Sequence, residues 1–539
     1  MKYTRIVSLA VCMSVPVCKA ETPTAVTPYL NFRSQSQNLA REMVGTSDTL
    51  HKSGMDSFYG SFAVAAEYTQ SFNGDDSAHS LFGCYYLQDC STIKITGSDV
   101  EDRSNKELLA NWFYLPSDYE GSICFEPVIR NSLIDMNLYW GMDAWTEGTF
   151  FRIHAPLAWT QWNLGAKFTT KEKGTNPQDE QIVLVDAEKF FCAQGRASEE
   201  GIIFRPLSCA RFCGCSCDAS KTKIRIADIQ ADLGWNFLLD NNYHLGLFAR
   251  MVAPTGNSPK GEWLFEPIIG NGGHWELGGG LTGEALLWDN QEENKNLKVS
   301  VNIDVTHLFT TEQNRVFDLK NKPLSRYMTA EKFTDATQTA NEFAPIANLT
   351  SCKRNVSIKV QADIAALFTY TSDNWTYDLG YNFWARSCEH FECDTCACCE
   401  ECSSCCGRCI IKKNEEKWGI TQVSGEGTAS DATISNAGTA DTTPIFIKDS
   451  DVDYDSARTK GMSQKIVAHV NYTWDETKFS PFVGVGGFAE FGINESCCSA
   501  ICDCNATSCS SNNTSNNCPC CKNVSLSQWG LLLKGGLSF

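Results

Sequence analysis

Residues 527–539 read S-Q-W-G-L-L-L-K-G-G-L-S-F. Taken every second position, Trp529, Leu531, Leu533, Gly535, Leu537 and Phe539 share one face, and Gln528, Gly530, Lys534, Gly536 and Ser538 share the other; only Leu532 breaks the alternation. Such a two-faced segment is a strand. An apolar face turned outward and a polar, small-residue face turned inward is what a lipid-embedded barrel requires, and a terminal aromatic falls where the strand meets the interfacial girdle.

The other end of the sequence predicts export. Lys2 and Arg5 precede an apolar stretch from Ile6 to Val17, and Cys18-Lys19-Ala20 offers small residues for cleavage. That stretch is shorter than the roughly 20 apolar residues a membrane-crossing helix needs. No later segment qualifies either, so a membrane location would have to be reached with strands. With 539 residues and a net charge of −19, the chain is large and acidic, which argues against nucleic-acid binding. Two of its 28 cysteines, Cys12 and Cys18, lie in the export segment, and the even remainder in an exported chain predicts disulfides formed in an oxidising compartment.

Period-two segments recur throughout. The clearest are residues 227–237, 297–305, 357–370 and 375–383. With the fainter runs they predict an all-β chain forming a closed antiparallel transmembrane barrel of about twelve strands, with 14–16 as the upper range. The strands are placed at Tyr59–Phe72, Ser132–Trp145, Thr149–Ala155, Lys223–Leu239, Tyr243–Ala253, His274–Trp288, Leu297–Phe309, Ser357–Tyr370, Trp375–Arg386, Lys465–Trp474, Pro481–Gly492 and Gln528–Phe539. Connections alternate between short turns rich in Asp, Asn and Gly and loops of tens of residues, the asymmetry of barrels with short turns on one rim and long loops on the other.

The cysteines fall in the long connections alone. Cys84, Cys90 and Cys124 lie in the first, Cys192, Cys209, Cys213, Cys215 and Cys217 in the second, and Cys352 in a later one. Cys388, Cys393, Cys396, Cys399, Cys402 and Cys409 lie in the next, and Cys497, Cys498, Cys518 and Cys521 in the last. One rim is thus expected to be cross-linked. The C-x-x-C spacings between Cys393 and Cys409 would suit a thiolate metal site in a cytosolic protein, but export favours disulfides, and spacing does not give the pairing. A repeat, Phe125-Glu126-Pro127, Phe204-Arg205-Pro206, Phe265-Glu266-Pro267 and Phe343-Ala344-Pro345, precedes descending strands and predicts where loops fold back onto the rim.

Alternation also nominates inward charges: the acids Glu67, Asp135, Asp143, Asp228, Asp232, Glu276, Glu284, Asp304, Asp363 and Asp378, and the bases Arg152, Arg250, Lys298, Lys359, Lys465 and Lys534. Charge is costly on a lipid face and cheap in a wet lumen. A water-filled, net acidic, cation-selective lumen follows if the pore is open; cross-barrel ion pairs filling a narrow barrel are the alternative. His274 with Glu276, or His154 near Arg152, could only serve catalysis beside a nucleophile, and no nucleophile motif accompanies either, so no enzymatic activity and no cofactor are expected.

The chain resembles bacterial outer-membrane β-barrel proteins of the porin type, and its cysteine-rich rim resembles that of disulfide-linked major outer-membrane proteins. The C-terminal motif that carries the likeness, Trp529, Leu537 and Phe539, serves in that family as a membrane-assembly signal. The resemblance implies passive diffusion of small hydrophilic solutes, the outer membrane with long loops extracellular, outer-membrane lipid and the barrel assembly machinery as partners, and self-oligomers through disulfides. The alternative is a disulfide-cross-linked structural or adhesive envelope barrel with little conductance. Residues 1–20 are read as a signal peptide, 21–58 as a polar segment on the periplasmic side whose alternatives are a lid, a short helix around Leu39–Val44 or nothing ordered, and 59–539 as the barrel.

Overall fold

The computed structural model describes residues 26–539 apart from 48, 56, 73, 84, 89–90, 177–181, 184–185, 194–196, 199–201, 213–219, 335–338, 393–416, 421–443, 475–478 and 494–520. Twelve antiparallel strands close into a barrel. They are β1 Tyr59–Ser71, β2 Val128–Gly141, β3 Thr149–Asn163, β4 in two pieces (Lys221–Ile226 and Ile229–Asp240), β5 Tyr243–Ala253, β6 Glu276–Asn290, β7 Lys295–Arg315, β8 Cys352–Ser372, β9 Trp375–Arg386, β10 Thr459–Thr473, β11 Ser480–Gly492 and β12 Gln528–Ser538. Each pairs with its successor, and β12 returns to β1 with Ser538 opposite Ser61 and Gln528 opposite Ser71. Closure leaves no edge in the circuit, which is the condition for crossing lipid with strands.

The expected strands are all present, and several run further on the loop side. β7 and β8 each span 21 residues, because beyond the apolar belt they continue upward as a hairpin that carries part of the cap.

The outer surface has the profile of a lipid-facing wall. Leu233, Leu247, Met251, Leu277, Phe368, Leu379, Ile466, Val485, Leu531 and Leu533 are each more than half exposed or nearly so, and they form its middle. Aromatics ring the turn side, with Phe58 against Trp140 and Trp145, and Trp375 and Trp474 against Tyr472. A second group marks the loop side, where Tyr68 meets Trp529 and Phe72 meets Phe491. Two aromatic levels flanking an aliphatic band are what a bilayer selects.

The long connections fold into a cap with its own core. Phe82, Phe113, Phe125, Phe191, Phe212 and Tyr327 are buried together, and small sheets such as Thr329–Phe333 with Thr339–Pro345 enclose a second cluster around Phe317, Met328 and Trp418. The F-x-P phenylalanines serve this packing. Phe125 stacks on Phe82 at 4.0 Å, Phe204 on Phe343 at 4.9 Å, and Phe265 meets Trp162 at 4.9 Å.

Two irregularities displace sequence-assigned residues. In β8 the register shifts between the pairs Thr306–Gln361 and Leu308–Ile358, a bulge that places an extra residue opposite His307 and turns Lys359 outward into the exposed set. Lys359 is therefore not a lumen residue. Asp143 lies beyond the end of β2, in the turn, where it accepts from the Gly148 N–H at 2.8 Å and shapes the connection to β3.

Candidate functional site

Inward side chains of the wall converge on the chain's own N-terminal segment. Val26 and Leu30 sit in the core of the cap, and the chain then passes down the barrel to enter β1 at Tyr59 on the turn side. The segment expected outside the barrel on the turn side instead occupies the lumen. Its short helix α1, Leu39–Met43, is capped by Asn38, whose side chain accepts from the Arg41 N–H.

The plug meets the wall through ion pairs and hydrogen bonds, and through an apolar patch where Ala40 and Val44 pack with Ala65, Leu367, Val467, Phe488 and Leu532. Arg33 donates to Asp363 of β8 at 2.6 Å and to Glu490 of β11 at 3.2 Å. Arg41 binds Asp135 of β2 at 3.0 Å and Glu67 of β1 at 3.4 Å. Burial alone would lower both guanidinium groups, but the carboxylates beside them outweigh it and hold both above the ordinary arginine value. Glu42 supplies the opposite charge, 3.1 Å from Arg152 and 3.5 Å from Arg250. Ser34 and Ser36 both donate to Asp228. The Gly45 N–H donates to Asp378 at 2.8 Å, and a Cβ at Gly45 would come within 2.8 Å of the His469 ring, so the plug passes this wall where only glycine fits. Lys534 of β12 donates to the carbonyls of Arg41, Glu42 and Val44 at 2.8–3.0 Å, satisfying orphan acceptors at the C-terminal end of α1.

The remaining inward charges pair within the wall. Asp232 is bound by Arg152 at 2.5 Å and by Arg250 at 2.7 Å, and Arg250 also reaches Asp304 at 2.5 Å. Glu284 accepts from Ser300 and lies 3.2 Å from Lys298. Glu276 accepts from Asn271 and Thr306. Lys465 lies 3.2 Å from Glu490. Around the plug, the inward charges form a network of ion pairs and hydrogen bonds, because a barrel of this circumference with a chain segment inside brings wall and segment side chains within reach of one another. Cavities persist beside the plug. One of about 50 Å³ is lined by Arg33, Asn38, Arg41, Asn131, Lys465 and Glu490. Another, about 40 Å³, is lined by Glu42, His51, Arg152, His244, Glu284 and Ser300.

His51 closes the turn-side end of the plug. It stacks on His244 of β5 at 4.2 Å, faces Tyr139 of β2 and Phe150 of β3, and its Nδ1 lies 3.0 Å from the Asn236 amide. Burial, then the neighbouring His244 and Arg152, lower its pKa well below 6.5. The two histidines weighed for catalysis are engaged in the wall: His154 lies between Asp135 and Gln230, and His274 between the Phe309 carbonyl and Gln313.

Cys388 and Cys521 are joined by a disulfide across 133 residues, tying the connection after β9 to the entry of β12, and Cys352 is also disulfide-bonded. Cys124 and Cys209 form no disulfide, and Cys192 is buried in the cap core. Cys84, Cys90, Cys213, Cys215, Cys217, Cys393, Cys396, Cys399, Cys402, Cys409, Cys497, Cys498 and Cys518 lie outside the described residues, as does the export segment. Trp529, Leu537 and Phe539 face outward, 38, 37 and 46 % exposed.

Sequence reasoning missed Arg33, Arg41 and Glu42, the residues that bind the plug. A signal existed in the excess of inward acids over inward bases, since Arg33 and Arg41 neutralise three of those carboxylates, Asp363, Asp135 and Glu67, and Arg33 also pairs with Glu490, which the alternation had not nominated.

No protein-family model matches the chain, and no curated protein matches it. Among solved structures it is similar to an outer membrane channel from Pseudomonas putida F1, at 9 % identity over 89 % of this chain and 96 % of that one, with a TM-score of 0.32. A deletion mutant of the TodX monoaromatic hydrocarbon channel matches at 9 % identity over 89 % of each chain, with a TM-score of 0.28. A Pseudomonas aeruginosa FadL homologue matches at 8 % identity over 90 % of each chain, with a TM-score of 0.25.

Proposed function

We propose that the protein is an outer-membrane channel for small hydrophilic solutes whose closed state is held by its own N-terminal segment. The observation that carries this reading is the chemistry of the plug–wall contact. Arg33, Arg41 and Glu42 meet the wall through ion pairs and hydrogen bonds. The ion pairs and hydrogen bonds of the segment have water as an alternative partner once it leaves, and its apolar contacts are small patches, such as that of Ala40 and Val44 on Ala65, Leu367, Val467, Phe488 and Leu532. The path it would vacate is lined by Asn131, Asp232, Arg250, Asp363 and Lys465, a lining suited to hydrated cargo. Planar-bilayer recording tests the reading: the full chain should conduct in brief openings, and Arg33→Ala/Arg41→Ala should lengthen them. Persistent silence of both, with folded barrels verified by heat-modifiable migration, would reject it.

The folded cap and its Cys388–Cys521 bond favour a second reading, a non-conducting barrel cross-linked into the envelope. Silence in the bilayer together with disulfide-linked oligomers on non-reducing gels is its expected outcome.

A further inference from the structure

The two arginines of the plug are held in the same way, by oxygens of the wall. Arg33 gives Nη2 to Asp363 of β8 at 2.6 Å, and Nη1 to Asn382 of β9 at 2.8 Å and to Glu490 of β11 at 3.2 Å. Its Nε goes to the Gln37 carbonyl within the plug at 2.7 Å. Arg41 gives Nε to Asp135 of β2 at 3.0 Å and Nη1 to Glu67 of β1 at 3.4 Å, and its Nη2 goes to the Gln35 carbonyl at 2.8 Å. Each guanidinium thus presents two of its three nitrogens to two carboxylates on different strands, and the plug backbone takes the third. Oxygens fixed around a planar fork match guanidinium better than a compact ion.

The wall does not balance these carboxylates by itself. Among the described residues, Glu67 and Asp363 have no cation of the wall at ion-pair distance, while Asp135 has His154 at 3.1 Å and Glu490 has Lys465 at 3.2 Å. Lys465 acts on Glu67 and Asp363 only at longer range, as Lys534 does on Asp135, and the Lys534 ammonium is spent on carbonyls of the plug. On β4 and β7 the arrangement differs, since Asp232 and Asp304 have Arg152 and Arg250 of the wall as partners. Withdrawing Arg33 and Arg41 therefore leaves four carboxylates facing the two ammonium groups of Lys465 and Lys534. The cavity of about 50 Å³ adjoins both arginines, and Asn131 in its lining, only 8 % exposed, donates to Thr69 but has no donor for its own side-chain oxygen. A buried acceptor without a donor marks a place for a donating ligand.

We infer that Arg33 and Arg41 occupy binding sites of the wall for the solute, and that the solute is a small cation carrying a guanidinium group. The inference rests on the channel reading above and names its cargo. As the plug withdraws, Asp363, Asn382 and Glu490 form one vacated site and Asp135 with Glu67 the other. A guanidinium solute restores the bonds that the arginines made to the wall, and water replaces the plug carbonyl on its third nitrogen. An anion meets like charge at both sites, and a neutral solute leaves the carboxylates unanswered. Because cargo and plug take the same oxygens, cargo binds the open state alone and shifts the protein toward it.

The test records single channels of the full-chain Arg33→Ala/Arg41→Ala protein in sodium chloride, with methylguanidinium, methylammonium or the neutral methylurea added. Methylguanidinium should slow the sodium current at about tenfold lower concentration than methylammonium, and methylurea should have no effect. Adding Glu67→Gln/Asp363→Asn should remove the difference between the two cations, whereas Glu126→Gln/Glu312→Gln, both exposed, should leave it intact. Conductance with equal effects of the two cations, or with a methylurea effect as large, overturns the inference and leaves the channel reading standing. A difference that survives Glu67→Gln/Asp363→Asn also overturns it. Silence of the folded variant fails the channel reading. In that case, or if the variant does not fold, the unmodified full chain in uncharged detergent decides: millimolar methylguanidinium should speed proteolysis between residues 26 and 57 more than methylammonium at equal ionic strength, and equal rates overturn the inference.

Discussion

The guanidinium of Arg41 lies 3.0 Å from the carboxylate of Asp135, a residue 94 positions away on β2. The pair joins a plug residue to a wall residue, both buried, and Glu67 and His154 complete the cluster. Removing one partner strands the others without compensation, so the cost of the contact is read on separation more than on formation. Replacing Arg41 with Ala should weaken plug attachment by about 3–5 kcal/mol, the usual cost of breaking a buried ion pair. The measurement is limited proteolysis of the folded barrel: cleavage between residues 26 and 57 should accelerate while the strands stay protected. Unchanged cleavage would show that the plug is held elsewhere.

Lys534 tests the same attachment from the wall. It serves three carbonyls of the plug, and Lys534→Met leaves those of Arg41 and Val44 without their donor while the Glu42 carbonyl keeps the Thr46 hydroxyl at 3.3 Å. A loss of about 1–3 kcal/mol is expected for such orphaned groups. Urea titration with intrinsic fluorescence should show it, and an increase in stability instead would argue that desolvating the ammonium costs more than its bonds return.

Acid should loosen the plug through His51. Its docked imidazole holds a proton less well than the free side chain, whose pKa is 6.5, so undocking takes up a proton. The His51 contribution to attachment is therefore full above about pH 6.5 and is lost as pH falls toward the lowered docked value. Proteolysis of residues 26–57 should speed up between pH 7 and pH 5, and His51→Gln should flatten that part of the dependence. A variant with the same slope as the parent would place the titrating group elsewhere.

The terminal residue closes the circuit. Phe539 N–H donates to the Gly60 carbonyl at 2.9 Å and Gly60 N–H to the Phe539 carbonyl at 2.8 Å, while the ring stands in the exposed belt. Deleting Phe539 should leave a chain that is exported but unassembled, protease-sensitive throughout and without heat-modifiable migration. Normal migration would remove this residue from the assembly signal.

Reduction should act on the cap before the barrel. The Cys388–Cys521 bond closes a span of 133 residues, for which about 2–5 kcal/mol of stabilisation is typical. With reductant, hydrogen exchange should rise in residues 444–460 and 521–527 and stay slow in β9 and β12. Equal acceleration in those strands would mean that cap and barrel unfold as one unit.

Strand number and facing were legible because a barrel wall imposes a period of two on every crossing, and a sequence such as Trp529 to Phe539 records that period locally. Turns were legible for the same reason, since their Asp, Asn and Gly chemistry is local. What escaped depends on contacts between distant residues. Nothing near Lys359 announces the bulge that turns it outward, which arises from the register of β7 against β8. The partners of Arg33 stand 330 and 457 positions away, and only the closed barrel brings them to it. The sequence by itself determined the strands, their facing and the two rims. The tertiary structure alone decided that the lumen is filled: charge in a sequence does not say whether water or another segment of the chain will answer it, and in a narrow barrel the segment that fits displaces the water.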